Sequence, residues 1–377
     1  MSGWPGKFVI GLTGNIATGK SVVRKMLEHL GAYGIDADAL GHRAIAQGAP
    51  GYQPVVDNFG KWVLAPDGQI DRAKLSRLVF ADPEALVRLE SIVHPLVVGA
   101  IDLLVRRSNH RVIVIEAIKL LESGLRAKCD SLWVTHAMQE IQLVRLMKKR
   151  GMSEYAAAQR ITAQPPQEHK VQAANVVIRN DGSFEDTWKQ VVTAWQELFP
   201  AADTGPLRAV KAATGDLAVQ RARPRQASEI AALITRLSGG QRKMEREDVM
   251  AAFGEKAFLL LNSGERSVGL MGWQVENLIA RTDDVYVEPT VPFPDAVKAL
   301  IEEVERASNE LQCEISLMFL PPDFAGRKEV WEKLGYEERT IQSLRVRAWE
   351  EAAVESMPAG SMMLFKQLRK DRVLRPV

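Results

Sequence analysis

The stretch Gly11-Leu-Thr-Gly14-Asn-Ile-Ala-Thr-Gly19-Lys20-Ser21 contains the frame Gly14-x-x-x-x-Gly19-Lys20-Ser21. Small residues at this spacing let successive main-chain N–H groups converge on one anion, with a lysine and a hydroxyl at the far end. Ahead of it, Phe8-Val-Ile-Gly-Leu12 reads as a buried parallel strand. Behind it, Val22, Val23, Met26, Leu27 and Leu30 recur at helical spacing. Strand, glycine-rich loop and helix in this order predict a nucleotide-phosphate site formed by Gly14, Asn15, Ile16, Ala17, Thr18, Gly19, Lys20 and Ser21.

The same alternation of apolar runs and helical patterns continues to about Phe199. Strands are expected at Phe8–Leu12, Arg111–Glu116, Ser131–Thr135 and Asn175–Ile178, with helices such as Pro83–Arg107 and Gln139–Arg150 between them. That order predicts an α/β doubly wound parallel sheet over residues 1–200, with ligands at the carboxyl ends of its strands. Residues 201–215, rich in Pro, Gly and Ala, read as a linker. Residues 216–377 follow as a second domain, for a chain of 377 residues that is long for one core.

Hydrophobic residues at 46% and charged residues at 25% are ordinary for a globular protein. A net charge of +2 speaks against a dedicated polyanion binder, and no nucleic-acid partner is expected. The Lys366–Arg375 run reads as a solvated basic tail. Cys129 and Cys313 are too few and too far apart for a disulfide framework or a metal cluster. With no apolar run of spanning length and no charged-then-apolar leader, no membrane partner and a cytoplasmic location are expected.

One helix after the loop, Tyr33-Gly-Ile-Asp36-Ala-Asp38 ends a short apolar stretch in two carboxylates. If the stretch is a strand, alternation places both on one face. Phosphoryl transfer needs such a group to accept a hydroxyl proton or to orient a water on magnesium.

Together these segments resemble the dephospho-coenzyme A kinase family over about Phe8 to Phe199. The resemblance is carried by the loop, by Ile35-Asp-Ala-Asp-Ala-Leu40 with Gln47-Gly-Ala-Pro-Gly-Tyr52, and by Ile92-Val-His94-Pro95. Arg160-Ile-Thr-Ala-Gln164 and Ala174-Asn175-Val-Val-Ile178-x-Asn180-x-Gly182 resemble that family's lid and closing strand. It implies an ATP- and magnesium-dependent transfer to the ribose 3′-hydroxyl of dephospho-CoA. Carried over, Lys20 would lie on the β- and γ-phosphates, Ser21 would ligate magnesium, and Asp38 would be the base, with Asp36 beside it. Arg145, Lys149 and Arg160 would close over ATP from the lid. His94 is expected to be chiefly structural and to line the acceptor pocket. The family usually has Asp-x-Pro-Leu-Leu-Phe-Glu where this chain has Glu116-Ala-Ile118-Lys119-Leu-Leu-Glu122. Lys119 then has two open readings, a contact to the acceptor's diphosphate or a solvent-facing charge. Another small-molecule or nucleoside kinase, or a nucleotide-binding regulator without turnover, stays open as an alternative.

In the second domain, helices are expected at Gln226–Leu237, Ala296–Glu310 and Glu329–Leu334, and strands at Ala257–Leu261, Val268–Val275, Asp284–Val287 and Glu314–Phe319. This α+β order, with Val330-Trp-Glu-Lys-Leu-Gly335-Tyr336, is similar to the Gcn5-related acetyltransferase fold. That family places a glycine-rich pyrophosphate loop between the strand and helix where this chain has Glu288-Pro-Thr-Val-Pro292-Phe-Pro294-Asp295. Prolines lack the N–H groups such a cradle needs, so a packing or partner-binding role is expected rather than acyl transfer.

Overall fold

The computed structural model describes residues 3–200, 210–211 and 217–374, so most of the expected linker lies outside the described residues. In the first half the elements are β1 (Phe8–Thr13), α1 (Lys20–His29), β2 (Tyr33–Asp36) and α2 (Ala37–Ala44). They are followed by α3 (Tyr52–Phe59), α4 (Arg72–Ala81), α5 (Pro83–Arg107), β3 (Val112–Glu116) and β4 (Ser131–His136). The half closes with α6 (Gln139–Arg150), α7 (Glu154–Thr162), α8 (Gln167–Ala173), β5 (Val176–Arg179) and α9 (Phe184–Leu198).

Its five strands are parallel in the order β2-β3-β1-β4-β5. Every residue of β3 is buried, as expected of a strand covered on both faces by crossover helices. One apolar cluster fills the face under α2 and α5, and another the face under α1 and α9. The carboxyl ends of β1, β2 and β3 meet at Thr13, Asp36 and Glu116, where the order of connection reverses.

The second half adds β6 (Val210–Lys211), β7 (Leu217–Arg221), α10 (Ala227–Leu237), α11 (Arg246–Ala252), β8 (Ala257–Ser263), β9 (Arg266–Glu276) and β10 (Ile279–Val287). Beyond these lie α12 (Phe293–Glu310), β11 (Ile315–Leu320), α13 (Pro322–Ala325), α14 (Lys328–Lys333), β12 (Glu337–Glu338), α15 (Arg347–Ser356) and β13 (Met362–Gln367). Eight strands form one sheet in the order β12-β13-β11-β10-β9-β8-β7-β6. All its pairs are antiparallel except β10 with β11. Alternation along β8 sends Phe258 and Leu260 to the cluster under α10 and α11, and Leu259 and Leu261 to the one under α12.

Over its described residues, Lys366–Leu374, the basic run is not the solvated tail that its charge suggests. Met363 and Phe365 of β13 are core residues, Lys366 pairs with Glu305 at 2.6 Å, and Leu374 packs in the first half's apolar cluster. Trp273 and Trp331 are buried inside the second half.

The two halves share an extensive contact. Leu278, Leu311, Val373 and Leu374 join a cluster with Tyr33, Ile35, Leu40 and Leu104. Arg43 pairs with the buried Glu314, Lys25 donates to the Val275 carbonyl, and Gln312 Nε2 donates to the Leu104 carbonyl at 2.8 Å. His29, at the end of α1, donates from Nε2 to the Phe253 carbonyl at 2.8 Å, leaving Nδ1 to accept from Arg221 at 3.4 Å.

Burial first, then the charge of Arg221, push the His29 pKa from 6.5 down to about 3. An unfolded chain binds this proton near pH 6.5, whereas the folded one stays neutral until near pH 3. Stability from His29 is therefore complete above pH 6.5 and is lost as pH falls toward 3. By pH 5 the loss amounts to about 2 kcal/mol. Urea unfolding from pH 7.5 to 5 should show that decline, and His29→Gln should flatten it. An equal decline in both proteins would remove His29 from the acid response.

Candidate active site

The phosphate loop leaves β1 at Thr13 and enters α1 at Lys20. Gly19 has φ 92°, and a Cβ there would lie 1.9 Å from Asn180 Nδ2, so only glycine fits. At Gly14 a Cβ would lie 2.5 Å from the Thr135 carbonyl oxygen. No side chain caps α1 and its first turn holds no acid, so the N–H groups at its start face the loop's interior free of side-chain acceptors.

The loop is braced from outside. Thr18 Oγ1 meets Thr135 Oγ1 at 2.7 Å, and Asn180 Nδ2 donates to the Thr18 carbonyl at 3.0 Å. Arg145 of α6 donates to the carbonyls of Ala17 at 3.2 Å and Asn180 at 2.8 Å. After α7, Gln164 Oε1 accepts from the Ile16 N–H at 2.7 Å, and Asn15 Nδ2 donates to the Pro165 carbonyl at 2.8 Å.

Lys20 is buried with its ammonium on the carbonyls of Gly14 at 3.1 Å and Asn15 at 3.2 Å. Burial lowers its pKa, and the nearby charges of Glu116, Asp38 and Asp36 work the other way. Ser21 donates to Glu116 at 2.9 Å, and Arg24 donates to the other oxygen of that carboxylate at 2.7 Å.

The two aspartates reach the site by a route other than strand alternation. Asp36 ends β2 and caps α2 by accepting from the Ala39 N–H at 2.9 Å, whereas Asp38 sits in the first turn of α2. Burial and the neighbouring Glu116 push the Asp36 pKa up to about 6. Asp38 is also raised by burial, against the opposing pull of the Ile118 N–H and the charge of Lys20. That N–H donates to Asp38 Oδ2 at 3.1 Å, while Lys170 of α8 and Thr13 Oγ1 donate to the Ile118 carbonyl at 2.8 and 3.1 Å.

Thus the loop, Arg145, Asp36 and Asp38 come together. Other candidates stand apart in this conformation. Lys119 is half-exposed and pairs with Glu90 at 2.8 Å, and Lys149 pairs at the surface with Glu255 at 3.4 Å. Arg160 is exposed on α7, and His94 is half-buried within α5. Three site groups carried no assigned role in the sequence reading: Glu116, Lys170 and Asn180. Glu116 had one available signal, as the only acid in the apolar run Arg111–Glu116. Lys170 had none.

Among the described residues no three His, Cys, Asp or Glu side chains are grouped to hold a metal ion by themselves. Ser21 and Glu116 side by side still fit a magnesium ion that takes its remaining ligands from phosphates and water.

A parallel sheet with a phosphate loop on its first strand, a lysine in the loop and a half-buried aspartate beside it define a P-loop kinase. The dephospho-CoA kinase family model matches residues 8–186. A dephospho-CoA kinase from Geobacter metallireducens is 43% identical over 192 residues, covering 50% of this chain and 96% of that protein. One from Carboxydothermus hydrogenoformans is 44% identical, covering 50% and 93%. The chain belongs to the dephospho-CoA kinase family. Among solved structures, a dephospho-CoA kinase from Campylobacter jejuni is 28% identical with TM-score 0.38, covering 50% of this chain and 96% of that one. A GNAT-family acetyltransferase from Staphylococcus aureus Mu50 is 14% identical with TM-score 0.33, covering 41% and 99%. ATP is the nucleotide that this family's reaction uses.

Gly19→Ala tests the loop. A methyl group there collides with Asn180 and demands a left-handed backbone, at a cost on the order of 1–3 kcal/mol for the backbone alone. Calorimetric titration with ATP should show binding weakened at least tenfold. The double variant with Asn180→Ala removes the collision but not the strain, so it should recover only part. Parental affinity in Gly19→Ala would contradict this reading of the loop.

Proposed function

We propose that the first half carries out the family's reaction, phosphorylation of the ribose 3′-hydroxyl of dephospho-CoA by ATP, through Lys20, Asp38, Arg145, Ser21 and Glu116. The observation that carries the assignment is Asp38 itself. It is a half-buried carboxylate within the field of Lys20, aimed by the Ile118 N–H, at the carboxyl end of the sheet.

In this reading Asp38 accepts the 3′-hydroxyl proton as the oxygen attacks the γ-phosphorus. The bond from that phosphorus to the β,γ-bridging oxygen breaks, and ADP leaves. Lys20 meets the β- and γ-phosphates, and loop N–H groups other than that of Ile16, which Gln164 holds, bind their oxygens. Arg145 is already anchored on the loop and stabilises the charge that develops on the transferred group. Ser21 and Glu116 would hold magnesium, which when bound neutralises phosphate charge. Asp36 caps α2, and so fixes the turn that presents Asp38. Lys149 and Arg160 would act only from a closed lid, and His94 would line the acceptor side.

For the second half we propose a role without acyl transfer. Between β10 and α12 the chain offers prolines, and Glu288 there is taken up by Arg236 at 2.6 Å and by Arg266. Glu288 is thus committed to the chain's own ion pairs. We further propose a cytoplasmic location, from the need for ATP and the two free buried thiols. No nucleic-acid role is proposed, because Lys366, Arg369 and Arg372 are occupied by Glu305, Asp371 and the Trp349 ring.

Lys20→Ala and Asp38→Asn should each lower turnover at least a thousandfold in a coupled assay with ATP and dephospho-CoA. ATP affinity should fall in the Lys20 variant and hold within threefold in the Asp38 variant. Near-normal turnover of Asp38→Asn would assign the base elsewhere. Lys119→Leu in the same assay should leave the KM for dephospho-CoA within twofold, since its ammonium already meets Glu90. A tenfold rise would make Lys119 an acceptor ligand.

Incubated with acetyl-CoA and a panel of amines, the full chain should release no free thiol above background. Amine-dependent release would refute the argument from the proline connection.

A further inference from the structure

The strands β9 and β10 are joined by a two-residue turn, Asn277-Leu278, between the paired Glu276 and Ile279. Both residues have positive φ, 52° and 64°. A turn of this kind suits asparagine first and glycine second. Leucine in the second place is strained, and it persists only where its surroundings hold it.

The first half supplies those surroundings. Leu278 shares an apolar cluster with Tyr33, Ile35, Leu40 and Leu104. Arg43 of α2 donates to the Asn277 carbonyl at 2.7 Å and pairs with Glu314, while Lys25 of α1 donates to the carbonyl of Val275 on β9. A second strained residue lies at the same contact: Gln312, with φ 60°, donates to the Leu104 carbonyl.

The hairpin lies against the back of the kinase site. A cavity of about 40 Å³ is lined by Arg24, Glu28 and Asp36 on one side and by Val275, Asn277 and Leu278 on the other. Helix α1 starts at the phosphate loop, and Lys25 touches the second half little more than one turn beyond Ser21. Helix α2 presents Asp38 in its first turn and Arg43 in its last turn. Each helix thus meets the substrates at one end and the second half farther along.

We propose that the second half is a positioning module for the kinase, whose β9–β10 hairpin holds α1 and α2 and thereby sets the places of Ser21, Arg24, Glu116 and Asp38. Leu278, Arg43 and Lys25 are its positioning residues, and none of them touches a substrate. The proposal rests on the roles given above to Ser21, Glu116 and Asp38. It assigns the half that lacks a pyrophosphate cradle a function within the reaction of the other half. The covered network also explains why the hairpin keeps a strained leucine: at this tip glycine would favour the turn and leave the kinase helices without their wedge.

The test uses the full chain. Leu278→Gly favours the turn while removing the wedge, and the double variant with Arg43→Gln also removes the ionic hold. Small-angle scattering reports whether the halves separate, and steady-state kinetics report turnover. The kcat should fall tenfold or more, with the KM for ATP within threefold because every brace of the loop lies inside the first half. Leu278→Met should restore at least half of the parental kcat. An undocked double variant with kcat within twofold of the parent overturns the proposal. If the double variant does not fold, Lys25→Met is judged by the same kcat and KM criteria. Failure of the kinase reading would look different, as a parent without turnover or an Asp38→Asn enzyme that keeps it.

Discussion

The Glu116 carboxylate is the group on which the site's geometry converges. It is buried at the end of β3, between β2 and β1, with one oxygen accepting from Ser21 and the other from Arg24. A buried carboxylate is tolerable only with partners for its lone pairs and its charge, so Arg24 is as fixed as Glu116. Arg24 also binds Glu28, Glu28 binds Lys25, and Lys25 reaches the second half. Alternating charges thus run from beside the Ser21 hydroxyl to the β9 hairpin. Removing Arg24 would leave Glu116 buried without an ion pair.

The same carboxylate shapes the acids around it. Burial first, and then the neighbouring Glu116, hold the Asp36 pKa up at about 6, against the charge of Arg24 and the N-cap bond. Asp38 escapes part of that pressure through the Ile118 N–H and Lys20. Where the family usually has proline, this chain has Ile118, and proline has no N–H to give. The departure that drew attention in the sequence therefore supplies a hydrogen bond to the proposed base. Lys170 and Thr13 hold the carbonyl of that same residue, so Ile118 is fixed on both sides without using its side chain.

The phosphate loop and its flanking strand and helix were legible because they are local: each glycine's need and each apolar repeat lies within a few residues of its neighbours. Strands β3 and β4 were equally plain as continuous apolar runs. The pair Asp36 and Asp38 was found by position, yet alternation was the wrong reason, since a strand ends and a helix begins between them. Lys170 was illegible because its partner is a main-chain carbonyl, which leaves no mark in sequence. In the second half, β13 was hidden by its charges. The run Met362-Met-Leu-Phe-Lys-Gln367 is apolar for only four residues before its polar end, and Lys366 finds Glu305 only across the fold.

Residues 201–215 read as a linker from their composition, and composition there carries no sign of the contact between the halves. What joins the halves is a hairpin tip, the end of α12 and the chain's last described residues, which pair with α1, α2 and α5 at separations of hundreds of positions. Buried ion pairs such as Arg43 with Glu314 add little net stability, because desolvation offsets much of the attraction. Their effect is directional: a guanidinium that also holds the Asn277 carbonyl permits one orientation of the hairpin against α2. Apolar burial around Leu278 then supplies the attraction, and the ionic contacts select its geometry. A surface evolved only for solubility would need the first without the second, so the presence of both ties the second half's orientation to the helix that carries Asp38.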